Sequence, residues 1–344
     1  AGQEIQYSNH GAALAGYVVE CAAEMPFADY VADKILAPLG MEHSDFRLTP
    51  DIEQHLSASY EWRKGKYVNV PYVHINAAPA GALMTTAADM ARFMMANLAG
   101  GELEGARVLG AEYVEAMQTQ QFTNDPRVPG IGYAWLMGRR NGRRVVMHGG
   151  DLWEFSTQLL LAPDENLGLF VSGNSSGAAP LADELVKAFF DTFFPSPEAA
   201  DASGIVRPAG DLSTLGAADT ARDPSQLAGV YRMTRRPVTT ADKAISVLTE
   251  FRVAAQDDGT LTLAFPAGYG MPMTTWAPAG QGLYRDTAGD DLMAFDDWKA
   301  VAGKTRPSRM YIGTWAFERV PVYETASFTL ATVAVIAVVF VWAV

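Results

Sequence analysis

Residues 133–172 read YAWLMGRRNGRRVVMHGGDLWEFSTQLLLAPDENLGLFVS, and this stretch decides the fold class. Apolar and polar residues alternate on both sides of Asn141-Gly142, a dipeptide that favours a two-residue hairpin turn. We therefore predict strands over 133–138 and 143–148. Two more strands, over 157–162 and 167–172, are predicted around a turn at 163–166. Together the four strands form an antiparallel meander.

Helical periodicity precedes and follows these strands. One helix is predicted after residue 9, a second over 27–36, a methionine-rich third from Thr86 to about Leu98, and a last one over about 181–194. The apolar face of the first helix consists of Leu14, Tyr17, Val18, Cys21, Ala22 and Met25. Cys21 is therefore predicted to lie in the core. Helices on either side of an antiparallel sheet indicate an α+β fold.

The remaining sequence divides into four regions. Residues 1–194 form the α+β domain, in which the aromatic-rich, irregular stretch 42–80 is expected to border a binding cleft. Residues 195–225, rich in Pro, Ala, Gly and Ser, are predicted to be a linker, and 226–320 a small all-β domain, barrel-like in its pattern. Residues 328–344 are an uncharged run of 17 residues, interpreted as the start of a transmembrane helix rather than a buried strand.

Composition excludes several classes of function. The 344 residues carry a net charge of −13, which argues against a nucleic-acid partner because a phosphate backbone requires a basic surface. The single cysteine rules out an internal disulfide framework, and no Cys/His cluster has the spacing of metal ligands. We predict neither a metal nor a cofactor.

Two short motifs carry candidate chemistry. Tyr7-Ser8-Asn9 precedes the first helix, where a serine or asparagine is also a common N-cap. His148-Gly149-Gly150-Asp151 ends a predicted strand, and consecutive glycines allow a ligand to approach the backbone closely. A tight turn with a surface histidine is the alternative interpretation of the second motif.

Residues 173–177, GNSSG, match the G-x-S-x-G pattern of a nucleophile elbow, in which the catalytic histidine follows the serine. All five histidines of this chain precede Ser175, so we interpret the stretch as a strand-to-helix connection.

In their context, these motifs resemble the serine β-lactamase-like hydrolases, which include class C β-lactamases, DD-carboxypeptidases and related esterases. The resemblance covers residues 3–194. It rests on YSNHGAALAGYVVE at 7–20, PFADYVADKILAPLGMEHSDF at 26–46, PAGALMTTAADMARFMMANLAGG at 79–101 and the 147–177 stretch that begins MHGGD. The chain is most similar to the branch of this family in which a small β domain and membrane helices follow the catalytic domain. This similarity implies an extracytoplasmic, membrane-attached enzyme.

The resemblance implies a role for each motif residue. Tyr7 would act as the proton shuttle, and Asn9 would hold the substrate amide. His148 would bind a substrate carboxylate, and the backbone N–H of Asp151 would supply half of an oxyanion hole. Gly149, Gly150, Trp153 and Glu154 would line the substrate site.

The family's nucleophile motif, Ser-x-x-Lys, occurs at none of the serines. We therefore expect the nucleophile upstream of residue 1 in a longer protein that cleaves an amide or ester of a small-molecule or peptide substrate. The alternative is a catalytically silent, membrane-tethered sensor or binding protein with the same fold.

Overall fold

The computed structural model describes residues 2–152, 155–175, 177–196, 223–237, 239–266, 271–280, 282–301 and 303–342. They form two compact units. One unit, here called the sheet unit, comprises Tyr7–Gln121 and the described residues from Ile131 to 196. The barrel unit comprises residues 2–6, Phe122–Gly130 and the described residues from 223 onward. Most of the predicted linker, 197–222, lies outside the described residues.

The sheet unit contains a four-stranded antiparallel sheet in the order β5-β6-β7-β8. Its strands are β5 (Leu136–Arg140), β6 (Arg143–Leu152), β7 (Phe155–Ala162) and β8 (Leu167–Gly173). The predicted meander is therefore confirmed. Asn141 and Gly142 have φ values of 48° and 78°, the left-handed geometry that a two-residue hairpin turn requires.

Helices surround this sheet. They are α1 (Asn9–Ala23), α2 (Phe27–Val31), which continues as a π-helical turn over Ala32–Leu36, α3 (Pro50–His55), α4 (Ala87–Leu98), α5 (Ala111–Met117) and α6 (Ala178–Phe193). Thr86 caps α4 as predicted, because its hydroxyl accepts a hydrogen bond from the Asp89 amide. The α+β class is thus confirmed for this unit.

Neighbouring residues of each central strand enter different cores because strand side chains alternate between faces. Val145 and Leu160 pack with Val186 and Phe190 of α6. Val146 and Leu161 instead pack with Trp135 and with Met94 of α4. The sheet is therefore covered by a helix on each face, and the methionines of α4 are core residues, as the sequence predicts.

Two local predictions for the sheet unit are wrong. Cys21 is exposed, as are Leu14, Tyr17 and Val18 on the same face of α1, because no described residue covers that face. The stretch 42–80 is also more regular than predicted. It contains α3 and a hairpin of β1 (Ser59–Arg63) and β2 (Lys66–Val70), and two-stranded pairing recurs in β3 (Glu102–Leu103) and β4 (Ala106–Arg107).

The barrel unit is a closed eight-stranded antiparallel barrel in which each strand pairs with the next and the last pairs with the first. Its strands are β9 (Gly229–Met233), β10 (Glu250–Ala255), β11 (Leu261–Ala264), β12 (Thr274–Gly280), β13 (Leu283–Asp286), β14 (Leu292–Val301), β15 (Lys304–Ile312) and β16 (Trp315–Arg319). Short helices α7 (Pro224–Leu227) and α8 (Lys243–Ser246) flank β9. The small all-β domain predicted for 226–320 is thus corrected to a closed barrel, which removes exposed sheet edges.

Large side chains fill the barrel interior. Tyr231, Phe251, Trp276, Met293, Phe295, Met310 and Phe317 form one buried cluster. The segment Phe122–Gly130 belongs to the same unit, because Val128 packs against barrel residues and the Asn124 side chain donates to the Thr314 carbonyl at 3.0 Å. The unit therefore includes residues far from the predicted domain range.

The C-terminal helix α9 spans Ala326–Trp342. Its 17 residues extend about 25 Å at ~1.5 Å per residue, less than the ~30 Å of a hydrocarbon core. Among the described residues, no helix has both the length and the apolar character to cross a membrane. The predicted start of a transmembrane helix at 328–344 is therefore not supported.

Candidate active site

The structure brings together the two motifs that the sequence singles out. The ring centroids of Tyr7 and His148 are 6.0 Å apart, with 41° between the ring planes. Tyr7 stands just before α1, and His148 lies in the second half of β6, so the pair joins a helix start to the sheet. Both residues belong to the sheet unit.

The three residues of the Tyr7-Ser8-Asn9 motif occupy different positions at the start of α1. Ser8 is the N-cap, because its hydroxyl accepts a hydrogen bond from the Gly11 amide at 3.0 Å. Asn9 is the first helical residue and is exposed. Since Ser8 provides the cap, the side chains of Tyr7 and Asn9 are not needed to start the helix.

The imidazole of His148 is held by its own strand. Its Nδ1 atom lies 2.8 Å from the carbonyl oxygen of Gly149. A carbonyl only accepts hydrogen bonds, so Nδ1 carries the proton in this contact, and Nε2 is the acceptor of the neutral ring. The tyrosine–histidine pair therefore combines a phenol with an imidazole whose Nδ1 atom is engaged by the backbone.

The strand register leaves the Asp151 amide without a strand partner on one side among the described residues. The two-residue turn at Asn141-Gly142 joins β5 to β6, so the pair Arg140–Arg143 that flanks it exchanges backbone hydrogen bonds. Alternation along β6 then directs the N–H of Asp151 towards the side of β5. The register of β5 ends at Leu136 opposite Met147, so no described strand residue pairs with Asp151 on that side.

Residues of β7 support the end of β6. Asp151 lies opposite Ser156, whose hydroxyl donates to the Asp151 carboxylate at 2.5 Å. The Thr157 hydroxyl donates to the Gly150 carbonyl at 3.2 Å. The sequence does not single out Ser156 and Thr157, because their positions opposite Asp151 and Gly150 depend on the register between β6 and β7.

Of the predicted site residues, Tyr7 and His148 form a contact, and Gly149, Gly150 and Asp151 continue the same strand. Trp153 and Glu154 lie outside the described residues. The role of each residue stays a prediction. Among the described residues, no group of three acidic, histidine or cysteine side chains is arranged to hold a metal ion.

The G-x-S-x-G stretch serves the sheet instead. Asn174 accepts a backbone hydrogen bond from the Tyr60 amide at 2.9 Å and donates through its side chain to the Ala58 carbonyl at 2.8 Å. Ser175 forms a single bridge with Tyr60. These contacts anchor the β1–β2 hairpin at the end of β8, consistent with a structural connection.

Comparisons with known proteins agree with this architecture. The Beta-lactamase family model matches residues 1–192. The chain is 29% identical over 207 residues to "Putative beta-lactamase-like 1" of Homo sapiens, a match covering 58% of this chain and 39% of that protein. It is 30% identical over 197 residues to "Beta-lactamase-like protein 2" of Dictyostelium discoideum, covering 56% of this chain and 35% of that protein. Its matches therefore span less than half the length of these relatives.

The structure is similar to that of the octameric penicillin-binding protein homologue from Pyrococcus abyssi. The TM-score is 0.50 at 18% identity, and the match covers 92% of this chain and 65% of the other. At this identity the similarity concerns the fold alone. The family model, by contrast, covers more than half of the chain. The chain belongs to the Beta-lactamase family.

Proposed function

We propose that the chain is part of a serine hydrolase that cleaves an amide or ester of a small-molecule or peptide substrate through an acyl-serine intermediate. The observation that carries the proposal is the contact between Tyr7 and His148, whose ring centroids lie 6.0 Å apart although the residues are distant in sequence. This contact groups a proton-transfer residue with a potential substrate-binding residue. Asp151, whose N–H has no strand partner on the β5 side among the described residues, follows on the same strand as His148.

Each group has a distinct task in this chemistry. As the acyl-enzyme forms, the serine hydroxyl loses its proton to a base and the leaving group gains one, and the Tyr7 phenol transfers that proton. The Asp151 N–H donates to the carbonyl oxygen as negative charge develops on it. The His148 imidazole binds a substrate carboxylate, and it does so most strongly when protonated.

The serine itself is the component that these 344 residues do not identify, because none of their serines begins Ser-x-x-Lys. We propose that it belongs to a part of the protein outside this sequence. The absence of the motif also favours a second candidate, a catalytically silent binding protein or sensor that retains the fold. An extracytoplasmic location stays a prediction from the sequence.

The test is turnover of chromogenic ester and amide substrates by the protein that includes its natural upstream residues. Changing Tyr7 to Phe removes only the phenolic hydroxyl, so we expect kcat to fall by at least about a hundredfold. Tyr113→Phe is the matched control, because Tyr113 is an exposed tyrosine of α5. Its kcat should equal that of the wild type.

Two results would count against the proposal. Wild-type turnover in Tyr7→Phe would remove Tyr7 from the mechanism. A complete lack of turnover by folded wild-type protein, across both substrate classes, would favour the silent binding protein.

A further inference from the structure

The barrel unit contains a pocket of about 590 Å³ at one end of the barrel. It lies where the connection between β12 and β13 meets the middle of β14. Residues 125–127 of the Phe122–Gly130 segment and the start of α7 complete its rim. Its volume falls within the range of about 300–1,000 Å³ that is usual for small-molecule sites.

Aromatic side chains form the wall of this pocket. Tyr284 and Phe295 are buried, and their rings are perpendicular with centroids 6.2 Å apart. Trp298 is partly buried and packs against the same core cluster. The rings of Tyr284 and Phe295 belong to the cluster that fills the barrel interior, so the pocket has an aromatic wall.

The charges that line the pocket are predominantly negative. Asp125, Asp223 and Asp296 contribute carboxylates, whereas Arg127 contributes a guanidinium. Arg127 pairs with Asp125 at 2.6 Å and also donates to the Phe295 carbonyl at 3.1 Å. Asp125 and Arg127 offset each other in this ion pair, and the other two lining carboxylates are those of Asp223 and Asp296.

These two carboxylates have different surroundings. The Asp223 carboxylate caps α7 by accepting hydrogen bonds from the amide and the hydroxyl of Ser225. Asp296 is exposed and lies opposite Arg309 of β15. The guanidinium of Arg309 pairs with Glu4 and Glu318, so within the described part of the chain the Asp296 carboxylate has no ion pair. Burial, and then the charge of Asp223, raises the pKa of Tyr284. The negative charge of Asp223 therefore acts on one of the rings that form the pocket wall.

We propose that this pocket binds an organic cation, an amine or quaternary ammonium attached to an aromatic or other apolar body. The apolar body would contact Tyr284, Phe295 and Trp298, and the cationic group would lie near Asp296. Aromatic faces and carboxylates both attract a cation, and each interaction strengthens as water is excluded. An anion of the same shape would be repelled by the Asp296 carboxylate. This inference is independent of the proposed hydrolase activity.

Three indole compounds of similar shape test the charge requirement: tryptamine, a cation at neutral pH; tryptophol, which is neutral; and indole-3-acetate, an anion. Each is titrated into the full chain by isothermal calorimetry at low salt. We expect saturable binding of tryptamine, binding of tryptophol at least about tenfold weaker, and no measurable binding of indole-3-acetate. Added salt should weaken tryptamine binding.

Two variants locate the site. Asp296→Asn removes one negative charge from an exposed side chain and should weaken tryptamine binding about tenfold. Asp291→Asn is the matched control, because Asp291 is also exposed but lies at the opposite end of β13. Trp298→Leu should weaken all indole binding. Thermal unfolding of each variant establishes that it is folded.

Three outcomes would overturn the proposal. The first is equal affinity for the three indoles, and the second is no binding of tryptamine by the folded wild type. The third is an equal loss of affinity in Asp296→Asn and Asp291→Asn. That result would mean that tryptamine binding depends on the net charge of the chain and not on a carboxylate in the pocket.

Discussion

The two glycines of the His148-Gly149-Gly150-Asp151 motif are expected to differ sharply in their tolerance of alanine. A Cβ atom added to Gly150 would lie 2.9 Å from the Thr157 hydroxyl oxygen. One added to Gly149 would have the Thr157 carbonyl oxygen as its nearest neighbour, at 3.4 Å, an ordinary contact distance. Gly150→Ala therefore requires Thr157 to move, whereas Gly149→Ala does not.

The cost of that movement follows from the contacts of Thr157. Its hydroxyl would lose the 3.2 Å hydrogen bond to the Gly150 carbonyl, worth about 0.5–1.5 kcal/mol. A β-branched side chain is stiff about χ1, and leaving its rotamer costs about 0.5–1.5 kcal/mol more. Replacing glycine by alanine also lowers the conformational entropy of the unfolded chain, which stabilises the folded protein by about 0.4–1 kcal/mol. The net destabilisation by Gly150→Ala should be about 1 kcal/mol, and Gly149→Ala should be neutral or slightly stabilising.

Calorimetric unfolding of a double-mutant cycle checks this account. In a Thr157→Ala background the obstructing oxygen and its hydrogen bond are both absent, so adding Gly150→Ala should stabilise the protein by the remaining effect on the unfolded chain, about 0.4–1 kcal/mol. The coupling between the two positions should then be about 2 kcal/mol, the sum of the hydrogen-bond and rotamer costs. Equal stability of the two alanine variants, or an undiminished cost of Gly150→Ala in the Thr157→Ala background, would refute the geometry that we assign to this strand pair.

Three further predictions concern other parts of the molecule. His148→Ala should raise KM for anionic substrates of the complete protein several-fold and leave kcat nearly unchanged; an unchanged KM would count against its binding role. Phe190→Ala removes a fully buried ring between α6 and the sheet and should cost about 3–5 kcal/mol of unfolding free energy, whereas Phe193→Ala, at 65% exposure, should cost little. Burial, followed by the charges of Glu4 and Asp296, raises the pKa of Tyr311 to about 12. Its contribution to stability is complete below pH ~10 and is lost as the pH rises towards 12, so Tyr311→Phe should flatten the alkaline fall in melting temperature over that window.

Local turn chemistry explains which parts of the fold could be predicted. Asn141-Gly142 is a strong hairpin signal, and the structure uses it with both residues at positive φ. Lys64 and Gly65 adopt nearly the same geometry, with φ values of 49° and 80°, between β1 and β2. That hairpin was missed because lysine is not a typical residue at a left-handed position.

Long-range pairing and packing could not be predicted in the same way. Periodicity identifies the apolar face of α1 but does not show whether another element covers it, so Cys21 was wrongly placed in the core. Closure of the barrel depends on pairing between β16 and β9, which are the last and first barrel strands in the sequence. The recruitment of Phe122–Gly130 into that unit has no sequence signal that we recognise.

The candidate site combines both kinds of information. Residue types and glycine spacing singled out the motifs, and the family resemblance assigned their roles. The proximity of Tyr7 and His148 is a tertiary contact that no spacing rule supplies. The supporting contacts of Ser156 and Thr157 depend on the strand register, which the sequence alone left open around residues 153–154.

The central claim, that this chain belongs to a working serine hydrolase, is tested most directly by intact-mass analysis after treatment with a fluorophosphonate. The reagent is applied to this 344-residue chain and to the protein with its natural upstream residues. We predict one adduct on the longer protein and none on the shorter chain, because Ser-x-x-Lys does not occur in the latter. No adduct on the folded longer protein, or an adduct on the 344-residue chain itself, would contradict the account.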